Sequence, residues 1–130
     1  MRALVSRRVT EEELLSLIQR RLPKRYHVKL EDLHDAYMEY EEEGETILTI
    51  TEEYDIGIVR RLLSPKMSEL IDLIRKERLS IAQIAARLNR STSNVYKDIR
   101  FLIDNKLAYL LRKGRARIPT LLLESIEVKV

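Results

Sequence analysis

The amino-acid sequence predicts an α+β fold that is mainly helical, with a few short β elements. Apolar residues recur at helical spacing through most of the 130 residues, and several helix starts carry clear capping residues. Two short segments, 46–51 and 126–130, are instead β-branched or alternate apolar with polar residues, as strands do. With 45% hydrophobic residues, the chain can bury the core of one ordinary domain, or of one small domain that carries an N-terminal extension.

The first predicted helix begins after Thr10, which is a suitable N-cap. Glu13 stands three residues later, at the capping-box position, and Val9 can pack against Leu14 as a hydrophobic staple. Pro23 is expected to end this helix, because proline cannot continue one.

Two helices and a strand are predicted over the rest of the N-terminal half. The acidic segment 31–43 is expected to be a helix, and 46–51 a strand. A further helix is expected to begin at Thr51 and to end near Leu63. Residues 1–63 therefore form a predicted helical extension.

The second half, residues 64–130, contains three punctuated helices. Ser64 and Pro65 give an N-cap followed by proline at the first helical position. The next helix starts at Ser80, where Gln83 completes a capping box. The third helix starts at Ser91.

The order of elements over 79–119 is typical of a winged helix-turn-helix. A tight turn at 89–90 joins two helices, and the second of these, 91–104, begins with a polar first turn. Asn105 suits a left-handed C-terminal cap. A strand then leads into a basic hairpin tip at 112–117, which is the predicted wing.

Charge is segregated along the chain, although the net charge is only +3. Residues 31–59 carry eleven Asp/Glu and no Lys/Arg, whereas residues 60–123 carry fifteen Lys/Arg and five Asp/Glu. The basic block coincides with the helix-turn-helix and wing, where a polyanion would bind. Charge and motif together therefore predict a double-stranded DNA partner.

The segment SPKMSELIDLIRKERLSIAQIAARLNRSTSNVYKDIRFLIDNKLAYLLRKGRARIP resembles winged-helix transcriptional regulators of the MarR-like kind from archaea and bacteria. The resemblance extends weakly over about residues 46–130. Asn89 and Asn105 stand where such proteins often have glycine, and asparagine tolerates the left-handed conformation. The resemblance implies sequence-specific DNA binding and regulation of transcription, usually by a homodimer.

The predicted recognition helix, 91–104, supplies the candidate base contacts. Its outward residues near the N-terminus could meet base edges in a major groove: Thr92, Ser93, Asn94 and Lys97. Asparagine can pair with adenine through two hydrogen bonds, although Asn94 could instead only cap the helix. Tyr96 and Arg100 lie beside this face and are expected to contact phosphate.

The remaining candidate DNA contacts are basic. Four cations surround Gly114 and are expected to bind the backbone or a minor groove: Arg112, Lys113, Arg115 and Arg117. Arg87 and Arg90 flank the turn and are predicted phosphate contacts.

Rival functions have less support. A winged-helix interaction module, such as an antitoxin or adaptor subunit, could use the acidic helix 31–43 as a docking surface for a protein partner, but it would not need a cationic wing. An RNA-binding module is disfavoured because aromatic residues are few, with six Tyr and one Phe. Enzyme motifs and a cofactor loop are lacking, and His27 with His34 is not a usual metal-ligand set.

Assembly and location follow from similar reasoning. We expect a homodimer formed mainly by residues 1–63, with the tail 126–130 joining the strand 46–51, because a single winged helix contacts few base pairs. No run approaches the roughly 18 apolar residues of a membrane span, and a signal-peptide core is lacking. The chain has no cysteine. A cytoplasmic location is therefore expected.

Overall fold

The computed structural model describes residues 1–19, 30–43 and 48–130. Within these ranges it is a mixed α/β fold with six helices and two antiparallel sheets. The helices are α1 (Glu11–Gln19), α2 (Leu30–Glu43), α3 (Ile56–Leu62), α4 (Pro65–Lys76), α5 (Ile81–Leu88) and α6 (Thr92–Asp104). The strands are β1 (Arg2–Arg8), β2 (Thr49–Tyr54), β3 (Ala108–Lys113), β4 (Ala116–Leu121) and β5 (Leu123–Lys129). Pro23, where the first helix was predicted to end, lies outside the described residues. So does His27, which was considered as a metal ligand.

The chain divides into two compact units. The first contains Met1–Ile56 and Leu123–Val130, and the second contains Gly57–Leu122. This division differs from the predicted boundary at residue 63 in two places. Nearly all of α3 belongs to the second unit, and the C-terminal strand β5 returns to the first.

The first unit is organised by a strand that the sequence analysis missed. β1 lies at the centre of an antiparallel sheet with the order β2-β1-β5. Its side chains alternate, so that Ala3, Val5 and Arg7 are buried. The residues of β1 do alternate in the sequence. Because Arg7 is a charged residue at an inward position, however, the pattern does not match the usual alternation of apolar and polar residues.

Helix α1 begins as predicted. The Glu13 amide donates a hydrogen bond to Thr10 Oγ1 at 3.2 Å, and Val9 and Leu14 share one hydrophobic cluster. Tyr40 of α2 packs against that cluster, and its hydroxyl donates to Glu11 of α1. Side-chain packing therefore joins both helices to the core of the first unit.

A buried ion cluster explains how Arg7 is tolerated inside. Its side chain is only 1% exposed and lies 2.6 Å from Glu13 Oε1 and 3.3 Å from Glu52 Oε2. Burial lowers the pKa of Arg7, but the hydrogen bond and charge of Glu13 outweigh this, so the pKa is raised overall. Burial raises the pKa of the neighbouring Tyr54 to about 12. The arginine therefore stays charged in the core.

The prediction that a helix begins at Thr51 is wrong. Strand β2 continues to Tyr54, and α3 begins only at Ile56. The segment TITEEY alternates, so Ile50, Glu52 and Tyr54 are buried along one face. Glu52 can lie inside because Arg7 neutralises it.

The second unit contains α4, α5, α6 and the β3–β4 hairpin. Its core consists of apolar residues at the predicted helical spacing: Met67, Leu70, Ile71, Ile74, Ile81, Ile84, Ala85, Val95, Ile99 and Leu102. Leu107 is also fully buried, and its carbonyl accepts a hydrogen bond from the Leu122 amide at 2.8 Å.

Across the described ranges, no helix has both the length and the apolar character needed to cross a membrane.

Candidate nucleic-acid interface

Helix α5 and the turn after it are fixed by hydrogen bonds at both ends. Ser80 Oγ accepts a hydrogen bond from the backbone N–H of Gln83 at 3.2 Å. In return, the side-chain Oε1 of Gln83 accepts from the backbone N–H of Ser80 at 2.9 Å, which completes the predicted capping box. Asn89 adopts the left-handed conformation, with φ 53°. The Arg90 amide then donates to the Ala85 carbonyl at 2.9 Å, which closes a Schellman motif. The turn therefore directs the chain into α6.

Helix α6 has a capped start and an exposed polar first turn. Ser91 Oγ accepts from the backbone amide of Asn94 at 3.1 Å. Val95, Ile99 and Leu102 are buried, which leaves the predicted contact residues on the opposite side. These exposed residues are Thr92, Ser93, Asn94, Tyr96, Lys97 and Arg100.

The end of α6 corrects a detail of the prediction. Asn105 has φ −97°, whereas Lys106 takes the left-handed conformation with φ 61°. The Leu107 amide donates to the Leu102 carbonyl at 2.8 Å, so Lys106 occupies the position at which a Schellman motif needs a positive φ. The Asn105 side chain instead donates from Nδ2 to the Phe101 carbonyl at 2.8 Å.

The hairpin tip is formed by a two-residue turn. β3 and β4 pair antiparallel, with Arg112 opposite Arg117 and Lys113 opposite Ala116. Gly114, the first turn residue, has φ +64°, and a Cβ there would meet nothing within 4 Å. Glycine is therefore favoured by backbone conformation rather than by space, as in a type II′ turn.

The hairpin and two helix starts surround one cleft of about 710 Å³. Five predicted contact residues line it: Thr92, Ser93, Tyr96, Arg115 and Arg117. Four further lining residues were not predicted: Ser80, Ile81, Ala82 and Ala116. Three of these belong to the start of α5, and their small or apolar side chains gave no chemical signal in the sequence. The cleft combines two helix N-termini, which carry partial positive charge, with two arginines.

Ion pairs divide the predicted cations into two groups. Three arginines have carboxylate partners: Arg87 with Glu77 at 2.7 Å, Arg90 with Asp98 at 2.7 Å, and Arg100 with Asp104 at 3.1 Å. The other five have no ion pair among the described residues: Lys97, Arg112, Lys113, Arg115 and Arg117. The unpaired group is concentrated at the hairpin tip, where its charge remains available to an anion.

Asp98 is a structural residue that the sequence analysis did not single out. It contacts Arg90 and, at 3.4 Å, also Arg61 of α3. The Arg61 guanidinium lies 3.9 Å from the centroid of the Phe101 ring, a cation–π geometry. Through these contacts, Asp98 links α6 both to α3 and to the turn that follows α5. The Arg90 side chain is only 15% exposed, so it supports the fold more directly than it presents charge.

The model of the HVO_A0114 family matches residues 62–128, which is just over half of the chain. The chain belongs to the HVO_A0114 family. The match contains α4, α5, α6 and the hairpin, and hence every residue that lines the cleft. No curated protein matches the chain. In this HVO_A0114 member, the described residues contain no cluster of three or more His, Cys, Asp or Glu side chains arranged to hold a metal ion.

Proposed function

We propose that the second unit is a winged helix-turn-helix that binds duplex DNA, and that the protein is a sequence-specific transcriptional regulator. The observation that carries this proposal is the convergence of the α6 start and the hairpin tip on one cleft. A major-groove helix and an adjacent cationic hairpin are the two parts that a winged helix-turn-helix uses to bind DNA.

Helix α6 is the proposed recognition helix. Its first turn presents hydroxyl and amide side chains, which can bond to base edges or to phosphate oxygens. The Asn94 side chain is exposed, and it is the residue best suited to an adenine, since an asparagine amide can both donate to and accept from that base. Thr92 and Ser93 line the cleft and are proposed to contact the backbone beside that base.

The hairpin tip is the proposed wing. Arg115 and Arg117 line the cleft, while Arg112 and Lys113 are exposed on the paired strand. Their charge suits the phosphate backbone or a narrow minor groove, where arginine is favoured electrostatically. An adaptor that bound only a protein would have no evident use for these unpaired cations. This argues against the interaction-module alternative.

Selection of bound sequences from a random duplex pool tests the proposal. We expect the full chain to enrich a short motif, and Asn94→Ala to lose preference at one position of that motif. Arg2→Ala removes the same charge as Arg115→Ala, but from an exposed ion pair with Glu53 in the first unit, so it is the matched control. Enrichment of no sequence, together with equal binding by the Arg115 and Arg2 variants, would overturn the proposal.

A further inference from the structure

Residues 126–129 of β5 lie at the outer edge of the described sheet. In the sheet order β2-β1-β5, β5 pairs with β1, and no other described strand pairs with residues 126–129 of β5. Apolar side chains are exposed at this edge, since Val128 is 41% exposed and Val130 is fully exposed. An exposed edge with apolar residues favours pairing with another strand.

The register of β5 separates its side chains by chemistry. Ile126 lies opposite Val5, and Val128 lies opposite Ala3, so both share the face that carries the core of the first unit. Glu127 and Lys129 alternate with them and occupy the opposite face. The strand therefore has one apolar face and one charged face.

The sequence of residues 126–130, Ile-Glu-Val-Lys-Val, is self-complementary about its centre. In antiparallel pairing about a two-fold axis at Val128, Val128 meets Val128 of a second copy. Ile126 then meets Val130 on the apolar face, and Glu127 meets Lys129 on the charged face. Every cross-strand pair is either apolar or of opposite charge, and such pairs stabilise antiparallel sheets.

We propose that β5 is a homodimer interface, where it pairs with β5 of a second copy to give a continuous six-stranded antiparallel sheet. Isologous pairing about a two-fold axis is the commonest way in which two identical chains associate. Moving the axis to Glu127 places two glutamates opposite each other. Moving it to Ile126 leaves Glu127 opposite Ser125 and Glu124 opposite Val128. Of these three registers, only the one centred at Val128 places Glu127 opposite Lys129.

This interface differs from the one predicted from the sequence. The tail was expected to join the strand at 46–51, but β1 lies between β2 and β5, and the tail pairs with β1 of its own chain. The dimer proposal concerns the first unit and does not depend on DNA binding. The two proposals can therefore fail separately.

The proposal is tested by exchanging the charges of Glu127 and Lys129. Sedimentation equilibrium of the full chain, without DNA, measures the self-association of each variant. Lys129→Glu and Glu127→Lys each replace two attractive pairs with two repulsive pairs, so we expect each to weaken association by about tenfold or more. The double variant E127K/K129E exchanges both charges and is expected to dimerise as the unmodified chain does. An equimolar mixture of the two single variants is expected to form a heterodimer. Lys66→Glu, on an exposed position of α4, makes the same charge change elsewhere and is expected to have no effect.

Rescue distinguishes the interface from a folding defect, because a misfolded single variant cannot regain association when mixed with the other. A monomeric unmodified chain at micromolar concentration would overturn the proposal. Single variants that dimerise normally, or single variants that lose association without rescue by the double exchange or by mixing, would also overturn it.

Discussion

Asp98 shows how one carboxylate can bind two cations of the basic block within the fold. It holds Arg90 at 2.7 Å and Arg61 at 3.4 Å, and both arginines belong to the basic block of the sequence. A count of charges along the sequence does not distinguish between these cations. In the structure, Arg61 and Arg90 hold elements together, whereas the cations of the hairpin tip face solvent without an ion pair among the described residues.

Arg90→Ala is expected to destabilise the fold, because it leaves the largely buried Asp98 without its closest partner. The expected loss is about 1–3 kcal/mol in the free energy of unfolding. Arg115→Ala removes an exposed, unpaired cation and should change this free energy by less than about 0.5 kcal/mol. Urea denaturation of the two variants measures both values. Equal stability of the two variants would refute a structural role for Arg90.

Asn94→Ala is expected to relax base specificity without loss of the helix cap. The cap bond joins Ser91 Oγ to the backbone amide of Asn94, and alanine retains that amide. If the side chain contacts an adenine, discrimination at one base position should fall by about 1–3 kcal/mol. Arg115→Ala should instead weaken binding to all sequences alike. Competition binding with single-base variants of the selected duplex separates the two outcomes, and uniform weakening by Asn94→Ala would rule out the base contact.

Tyr54 gives a prediction for alkaline pH. Burial raises its pKa to about 12 from the ordinary value of 10, so the folded state favours the neutral phenol. The corresponding stabilisation is present in full below pH 10 and is lost as the pH rises towards 12. Tyrosinate absorbance should show a late-titrating group that is absent from Tyr54→Phe. Identical titration curves for the two proteins would contradict this burial effect.

At the scale of elements, local signals predicted helix starts better than strands. Thr10, Ser80 and Ser91 make side-chain cap bonds, because capping depends on residues three apart. Ser64 lies at the predicted N-cap position of α4 but makes no side-chain cap bond, since its hydroxyl donates to the Arg61 carbonyl. Strand β1 could not be found in this way. Its inward Arg7 is paired with Glu13 on the next element and with Glu52, which is 45 residues away. The alternation within β1 reveals neither partner.

The candidate site was predictable only in part for a similar reason. Helix spacing identified the exposed side of α6, and the glycine turn identified the hairpin tip. The contribution of Ser80, Ile81 and Ala82 to the cleft arises from packing of α5 against other elements. Packing between elements cannot be derived from periodicity within one element.

Ser91→Ala tests whether the α6 cap matters for the whole unit. Loss of the bond from the Asn94 amide should lower the free energy of unfolding by about 1 kcal/mol. Ser93→Ala is the matched control, since Ser93 is exposed on the same helix and makes no cap bond among those described. Thermal and urea unfolding measure the difference, and equal stability of the two variants would show that the cap contributes little.

At the scale of the whole molecule, the two units carry net charges of opposite sign. The residue ranges of the first unit contain nine Lys/Arg and sixteen Asp/Glu, whereas the second unit contains fifteen and five. The second unit therefore carries an excess of ten positive charges. Such an excess favours association with a polyanion and makes that association sensitive to salt.

The salt dependence of duplex binding tests the central claim most directly. If the cleft and hairpin tip neutralise roughly six phosphates, log K should fall against log salt concentration with a slope of about −5. Arg115→Ala should reduce the magnitude of that slope by about one, whereas Arg2→Ala should leave it unchanged. Titration of the selected duplex at several salt concentrations gives these slopes. A slope near zero, or no binding at low salt, would contradict the claim that the second unit binds DNA.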